Sequence, residues 1–378
     1  MELPADLQVA LQGALRGKAI ASLAETAAAL SACYRASHGR GDGPLARSAG
    51  EALAYAAYRM PATFAAIFSA LQATQRRLPS FAPLSMLDLG AGSGAALWAA
   101  SGCFDSLQQA QLFEGEAAML ALGKTLAAQS LAPVVRAASW AKADLLAAPL
   151  ALPEVDLVTC AYVLGELGAS ARTTLLSNMW QATRGVLLLV EPGTPRGFAI
   201  IRALRAELIA IGAHIAAPCP HVDVCPMPTD DWCHFAQRIA RPSFQRTLKG
   251  ATLGYEDEKF SYIAATRLPP AALEARIIRH PQVRSGTIEL ELCTQAGTLV
   301  SPTITKRNKD SWRAARDAAW GGEWGGNFAS PLSGKIINYN LPFIIALGRS
   351  IEPYVWGVVG SFAAHNTPNK AQSLCSSL

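Results

Sequence analysis

The sequence predicts an α/β fold with a mostly parallel sheet covered by helices on both faces, preceded by a helical region and followed by a small β unit. Three observations predict it. Short apolar runs alternate with Ala-rich helical stretches between Leu84 and Gly193, a pattern that two-sided burial of parallel strands requires. A glycine-rich turn joins a strand to a helix at MLDLGAGSGAALWAA, Met86 to Ala100. The first 78 residues carry no strand-like run and show helical spacing instead.

Taken in order, Leu7, Ala10, Leu11, Ala14 and Leu15 form one helical stripe. Tyr55, Tyr58, Phe64, Ile67, Phe68 and Leu71 form another, with Pro61 expected near a helix start. The strand candidates are then MLDLG, AQLFEGE, PVVRAAS, VDLVTCAYVLGEL and GVLLLVEPG. A helix from Arg196 to Ile211 leads into a Pro- and Cys-rich loop, and GATLGYEDEKFSYIAATR reads as a returning hairpin that completes the sheet. Residues 271 to 308 read as a small β unit followed by a short basic helix with Trp312, Arg313 and Arg316; regularity is lost from Gly321 onward. The expected organisation is therefore a helical region 1–78, a sheet domain 79–267 carrying the loop 218–235, a basic β unit with its helix 268–320, and a tail 321–378 of unassigned structure.

Composition sets limits. A chain of 378 residues can bury its cores without covalent staples. No run of eighteen apolar residues appears, so no membrane helix is expected. The start MELPADLQ carries Glu2 and Asp6, unlike a secretory or transit peptide, and predicts a cytoplasmic protein. A monomer is the expected state. The net charge of +5 is modest, so a nucleic-acid role has to rest on where the basic residues sit.

In the glycine-rich turn, Gly90, Gly92 and Gly94 let the backbone approach a ligand at a helix amino terminus. Asp88, just before the turn, would repel a pyrophosphate and suits a ligand with a cationic amino acid end. Glu114, at the end of the next strand, is placed for two ribose hydroxyls, and Asp144 for an adenine amino group, with a helix-capping or surface role as the alternative. These features resemble class I S-adenosylmethionine-dependent methyltransferases over about residues 80 to 267. The fourth strand, VDLVTCAYVLGELG, has no Asn-Pro-Pro-Tyr run. Cys160 in it reads as core, Glu166 as a base or a wall of the site, and the catalytic residues stay unassigned.

The loop PCPHVDVCPMPTDDWCHF places Cys219, Cys225 and Cys233 within fifteen residues, with prolines that exclude a regular helix. In a reducing compartment such thiols are metal ligands more often than disulfides. Cys293, in the β unit, is the natural fourth ligand if that unit folds back onto the loop, with His221 and His234 as competitors. Four thiolates suit structural zinc or a 4Fe-4S cluster, while the spacing disfavours a radical S-adenosylmethionine enzyme. Cys33, Cys103, Cys160 and Cys375 lack such company.

Together, AYAAYRMPATFAAI, LDLGAGSGAALWAA, LLLVEPGTPRGF, PCPHVDVC with WCHF, and KRNKDSWRAARDAAWG resemble the methyltransferase-like family of mitochondrial small ribosomal subunit proteins and their bacterial homologues, over about residues 5 to 320. The resemblance implies a 4Fe-4S cluster on Cys219, Cys225, Cys233 and Cys293, bound S-adenosylmethionine, and small-subunit rRNA and the pre-small ribosomal subunit as partners. Under it the protein is an assembly factor or an rRNA methyltransferase. Arg276, Arg279, His280, Arg284, Lys306, Arg307, Lys309, Arg313 and Arg316 form the expected RNA-facing cluster, with Trp312 to stack on a base and Arg241, Arg246 and Lys249 extending it. The alternative is a small-molecule or protein methyltransferase with a structural zinc.

Overall fold

The computed structural model describes residues 1–36, 46, 48–147 and 150–325, with side-chain surroundings given outside 31–36. Three helices come first. In α1 (Ala5–Leu15) the buried stripe is Leu7, Ala10, Leu11 and Leu15, and α2 (Ile20–Ala36) leads towards α3 (Ala49–Arg77), 29 residues long. A reciprocal cap starts α3: Glu51 N donates to Ser48 Oγ at 3.2 Å and Ser48 N donates to the Glu51 carboxylate at 3.1 Å. Pro61, expected near a helix start, lies inside α3. The hydrogen bond that proline removes is offset by burial on both sides of it, through Met60, Phe64, Ile67 and Leu71.

The sheet follows as β1 (Ser85–Leu89), α4 (Ala95–Cys103), β2 (Gln109–Glu114), α5 (Ala117–Ala127), α6 (Pro133–Arg136), β3 (Ser139–Lys142), β4 (Val155–Ala161), α7 (Ala169–Ala182), β5 (Thr183–Pro192), α8 (Pro195–Ala210), β6 (His214–Ala217), β7 (Phe235–Ala240), α9 (Ser243–Leu248) and β8 (Tyr255–Thr266). Strand order is β3-β2-β1-β4-β5-β8-β6, with β7 also on β8. The first five strands run parallel, and β8 is antiparallel to β5, β6 and β7. The alternating pattern predicts this mostly parallel sheet, and its strand order is the class I methyltransferase-like arrangement that the resemblance implies.

Both sheet faces are dry because successive residues feed different cores. Met86, Leu188 and Val190 face a core shared with α3 and α4. Their neighbours Leu87, Leu89, Leu187 and Leu189 face a second core with α7 and α8. The N-terminal helices thus pack into the same core as one sheet face.

The third strand differs from expectation. PVVRAAS begins with the helical turn α6, with Pro133 at its start, where a missing N–H costs nothing. The strand is the next segment, SWAK, an exposed edge with no apolar run to reveal it. The expected hairpin over 250–267 is a turn followed by one twelve-residue strand, β8.

The small β unit contains β9 (Ala275–Ile277), β10 (Gln282–Arg284), β11 (Thr287–Glu289), β12 (Leu292–Thr294), β13 (Leu299–Val300) and β14 (Thr303–Thr305), then α10 (Lys309–Arg316) and β15 (Glu323–Trp324). Its sheets are ordered β13-β12-β9-β15 and β10-β11-β14. Regularity therefore persists past Gly321, because β15 pairs with β9 and buries Trp324. The tail readings from 326 onward lie outside the described residues. Among the described residues no helix is long and apolar enough to cross a membrane.

At the start of α8 the backbone passes so close to β5 that a Cβ on Gly197 would lie 2.0 Å from the Pro192 carbonyl oxygen. Because the obstacle is backbone, relaxation has to move the strand. Gly197→Ala is expected to destabilise the fold by about 3 kcal/mol, read as a lowered urea midpoint at unchanged slope.

Candidate functional site

A crevice of about 760 Å³ opens at the carboxyl ends of β1, β2 and β4, where the strand order reverses. Gly90, Gly92 and Gly94 lie on its floor or just behind it, all at positive φ. At Gly90 a Cβ would come within 2.3 Å of Val163 Cγ2, so only glycine keeps the turn this close to the chain after β4. Gly90 N and Ala91 N both donate to the Phe113 carbonyl, tying the turn to β2.

Glu114 accepts from Gly92 N at 2.6 Å and from Glu116 N at 2.7 Å, and lines the crevice. Burial raises its pKa against these backbone donors. A carboxylate has about four lone-pair sites, so two remain for a ligand. Asp144 also lines the crevice, and its carboxylate accepts from Leu146 N at 2.9 Å, so it caps its own turn as well.

Asp88 is placed differently from expectation. It is buried behind the turn and is not part of the crevice wall. Thr159 Oγ1 donates to its Oδ1 at 2.6 Å, while Oδ2 is buried without a partner. Burial raises its pKa to about 7, against the lowering effect of the Thr159 hydrogen bond. A carboxyl at the end of a fully buried strand has no route to water, which the linear motif does not reveal.

Three wall residues, Arg59, Tyr162 and Tyr55, and the carboxylate of Glu258 behind them escaped the sequence reading. Arg59 on α3 makes a two-pronged ion pair with Glu258 on β8, at 2.8 and 3.3 Å, and Tyr162 Oη donates to the same carboxylate at 3.0 Å. Tyr55 stands beside them. Burial works against the charged Arg59, but Glu258 outweighs it and holds the guanidinium above its ordinary value. Tyr162 sits at φ 62°, a left-handed position that a non-glycine residue occupies at a cost. A lone Arg in the apolar run AYAAYRMPATFAAI was the available signal; Glu258, among alternating acids, gave none.

A second cavity, of about 40 Å³, lies between the loop after β6 and the small β unit. Cys219, Cys225, Cys233 and Cys293 all line it, with Phe198, Met227, Ile278 and Leu299 supplying apolar walls. The expected return of Cys293 to the loop is therefore observed as a shared cavity. Burial pushes the Cys219, Cys233 and Cys293 thiols up, and the neighbouring cysteines push Cys233 and Cys293 up further.

His221 also lines the cavity, its Nε2 3.4 Å from Cys293 Sγ. His234 does not; it stacks on Trp232 and meets the edge of Trp320. Among the described residues no group of three His, Cys, Asp or Glu is drawn together tightly enough to hold a metal ion as it stands. Cys103 and Cys160 lie apart from this cavity, and Cys160 is fully buried core with its thiol pushed well up by burial. Of the other two, Cys375 and the side chain of Cys33 lie outside the described residues.

The basic cluster divides. Arg276 is 1% exposed and donates to the Pro218 and Gly321 carbonyls, so it is no phosphate ligand. Arg279 is clamped by Asp231. Arg241 and Lys249 both pair with Glu256. Arg284, Lys306, Arg307, Lys309, Arg313 and Arg316 are exposed, as is Arg246; half-buried Trp312 lies under Lys306. Charge is visible in a sequence, but the burial of Arg276 by β15 is not.

A family model described as mitochondrial small ribosomal subunit Rsm22 matches residues 49–325. The chain is 29% identical over 296 residues to the human "Ribosome assembly protein METTL17, mitochondrial", covering 73% of this chain and 63% of that protein. It is 26% identical over 207 residues to "Rsm22-cox11 tandem protein 2, mitochondrial" of Schizosaccharomyces pombe, covering 43% of this chain and 27% of that protein. The chain thus spans less than two thirds of either relative. Among solved structures it is similar to magnesium protoporphyrin IX methyltransferase from Synechocystis with bound SAM, at 16% identity and TM-score 0.35, over 62% of this chain and 90% of that one. The cytoplasmic expectation is corrected by these findings: the family description and both relatives' names are mitochondrial. Residue types at an amino terminus were too small a basis for it.

Asp88 gives a pH test. Its folded pKa, about 7, lies above the ordinary 3.8, so the folded state holds a proton that the unfolded chain releases. Its contribution is full below about pH 4 and is lost as pH rises through about 7. Asp88→Asn, which stays neutral and keeps an acceptor for Thr159, is expected to be more stable than the parent at pH 8, by up to about 4 kcal/mol, and near parity at pH 4. Urea melts at the two pH values check this.

Proposed function

This chain belongs to the mitochondrial small ribosomal subunit Rsm22 family, and on that premise we propose that it is an S-adenosylmethionine-binding, iron-sulfur assembly factor acting on small-subunit rRNA. The observation that carries the reading is the convergence of Cys219, Cys225 and Cys233 from one loop, and Cys293 from β12, on a single buried cavity. Four cysteines brought from two separate segments onto one cavity make a donor set suited to a soft, thiolate-bound metal.

The choice of the 4Fe-4S cluster over zinc rests on the family resemblance of the loop motifs. Four thiolates on one zinc, each about 2.3 Å from it, lie about 3.8 Å apart. A cubane cluster takes each thiolate at a separate iron, so its ligands stand wider. Four cysteines that line one cavity are a donor set for either group. The cluster would be held by Cys219, Cys225, Cys233 and Cys293 as a structural staple between the sheet and the basic unit.

The crevice fits S-adenosylmethionine in its donor set. Glu114 has two lone-pair sites left for ribose hydroxyls, Asp144 offers an acceptor to an adenine amino group, and the turn at Gly90, Gly92 and Gly94 admits close backbone approach. Asp88 supports the turn from behind through Thr159. When bound, the cofactor supplies an electrophilic methyl group. A second reading, an rRNA methyltransferase, is favoured by Glu166, which lines the same crevice and whose carboxyl is raised to about 7 by burial and by Glu114 and Glu116, a range suited to proton transfer. The exposed Lys306, Arg307, Lys309, Arg313 and Arg316 around α10 form the surface for rRNA phosphates.

Two measurements test this. Anaerobically purified protein is expected to hold roughly four iron and four sulfide per chain and to absorb near 400 nm; a colourless protein with one zinc would sink the cluster. Crosslinking in cells should recover small-subunit rRNA, and its absence would sink the ribosomal role. Separately, Glu114→Ala is expected to weaken S-adenosylmethionine binding by about tenfold or more, about 1.4 kcal/mol, in calorimetric titration.

A further inference from the structure

Two arginines stand where an apolar cavity offers them no obvious reason to be. Arg205 on α8 is 5% exposed and Arg276 on β9 is 1% exposed, and both line the cavity that the four cysteines share. Arg205 Nη2 donates to the His221 carbonyl at 2.8 Å, while its Nε is buried with no hydrogen-bond partner. Arg276 donates through Nε to the Pro218 carbonyl and through Nη1 to the Gly321 carbonyl, both at 2.9 Å. Its Nη2 lies 3.5 Å from the Glu323 carboxylate yet makes no hydrogen bond.

Carbonyl acceptors satisfy N–H groups but do not neutralise a guanidinium, which stays charged under all protein conditions. A buried charge without an opposite charge is strongly destabilising. Among the described residues Arg205 has no ion-pair partner, and Arg276 has only the looser contact with half-buried Glu323. The cavity thus holds two buried cations without a closely paired carboxylate, beside four cysteines.

One ligand class answers both. An iron-sulfur core carries less positive charge than its four thiolates carry negative, so the ligated cluster stays anionic. We propose that Arg205 and Arg276 are the buried counter-charges of an anionic, thiolate-ligated cluster, and that they set its retention and its reduction potential. The inference rests on the iron-sulfur reading above and adds to it the residues that neutralise the group. They are positioning residues, acting through the cysteines and the surrounding field.

The test uses the full chain, purified anaerobically with its cluster. Arg205→Gln is the primary variant, since Gln removes the charge and keeps a donor for the His221 carbonyl, and Arg205→Lys keeps the charge without the fork. Arg276→Gln and Arg276→Lys form the second pair. Cluster loss to an iron chelator is followed near 400 nm, and the midpoint potential by anaerobic titration. The Gln variants are expected to lose the cluster about tenfold faster or more and to titrate at more negative potential, because removing a nearby positive charge disfavours the more anionic reduced state. The Lys variants are expected to stay close to the parent in both. Gln variants that match the parent in both readouts overturn the inference while leaving the cluster in place. Lys variants as impaired as Gln also overturn it, since the arginines are then hydrogen-bond clamps. A parent that binds no iron and sulfide sinks the iron-sulfur reading and the inference together, an outcome distinct from the other two. Thermal melts of each apo variant show whether the chain still folds.

Discussion

The antiparallel ladder of β8 is the constraint on which both candidate sites depend. Its later half pairs with β5 and β6 and completes the sheet, while its earlier half runs on to pair with β7. Because one strand does both, the crevice and the thiol cavity share a rigid element. From β8, Glu258 reaches the crevice wall at Arg59 and Tyr162. Three residues further along, Ser261 Oγ donates to the Cys233 carbonyl at 2.9 Å and fixes the end of the cysteine loop. Alternation along the strand sends even-numbered Glu258 and odd-numbered Ser261 to opposite faces, which is how a single ladder serves two cavities.

Burial of charge follows one rule at both places. At the crevice, Arg59 finds a carboxylate with matched two-pronged geometry, and Tyr162 fills a further lone pair, so the desolvation of the pair is offset by three hydrogen bonds. A buried pair of this kind adds little net stability over apolar packing, but it fixes how α3 sits over the crevice. At the thiol cavity the same chemistry is incomplete. Arg205 and Arg276 hold backbone carbonyls, with only the looser Glu323 contact beside Arg276, and under the proposed reading the ligated cysteines supply the remaining negative charge.

What was legible in the sequence follows from what a linear pattern encodes. Strands β1, β4 and β5 are buried on both faces, so their apolar runs are nearly continuous and announce themselves. The glycine turn is legible because positive φ at three nearby positions excludes almost everything else. Edge strand β3 was misplaced because SWAK carries little apolar signal, and β8 was read as a hairpin because YEDEK alternates like a surface strand before FSYIAAT turns apolar. The four cysteines could be grouped from sequence by supposing that the β unit folds back. The fate of Arg276, His234 and Asp88 could not, because each depends on which distant segment covers it: β15, Trp320 and Thr159 respectively.

The cysteine loop and the basic surface are mechanically coupled through a short stretch of chain after α10. Arg276 joins the Pro218 carbonyl at the start of the loop to the Gly321 carbonyl beyond the helix. Glu323 and Trp324 then extend the sheet at β9, next to β12 and Cys293. On the outer side, Trp320 is packed edge-on by both His234 of the loop and His280 of the β unit. With α10 ending at Arg316, only a few residues separate its exposed Arg313 and Arg316 from these contacts. Whatever fixes the positions of Cys219, Cys225 and Cys233 therefore also fixes the anchor from which the basic helix projects. A group bridging the loop to Cys293 would act on the placement of α10 without touching it, which under the proposed reading gives a buried cluster a physical role that requires no catalysis.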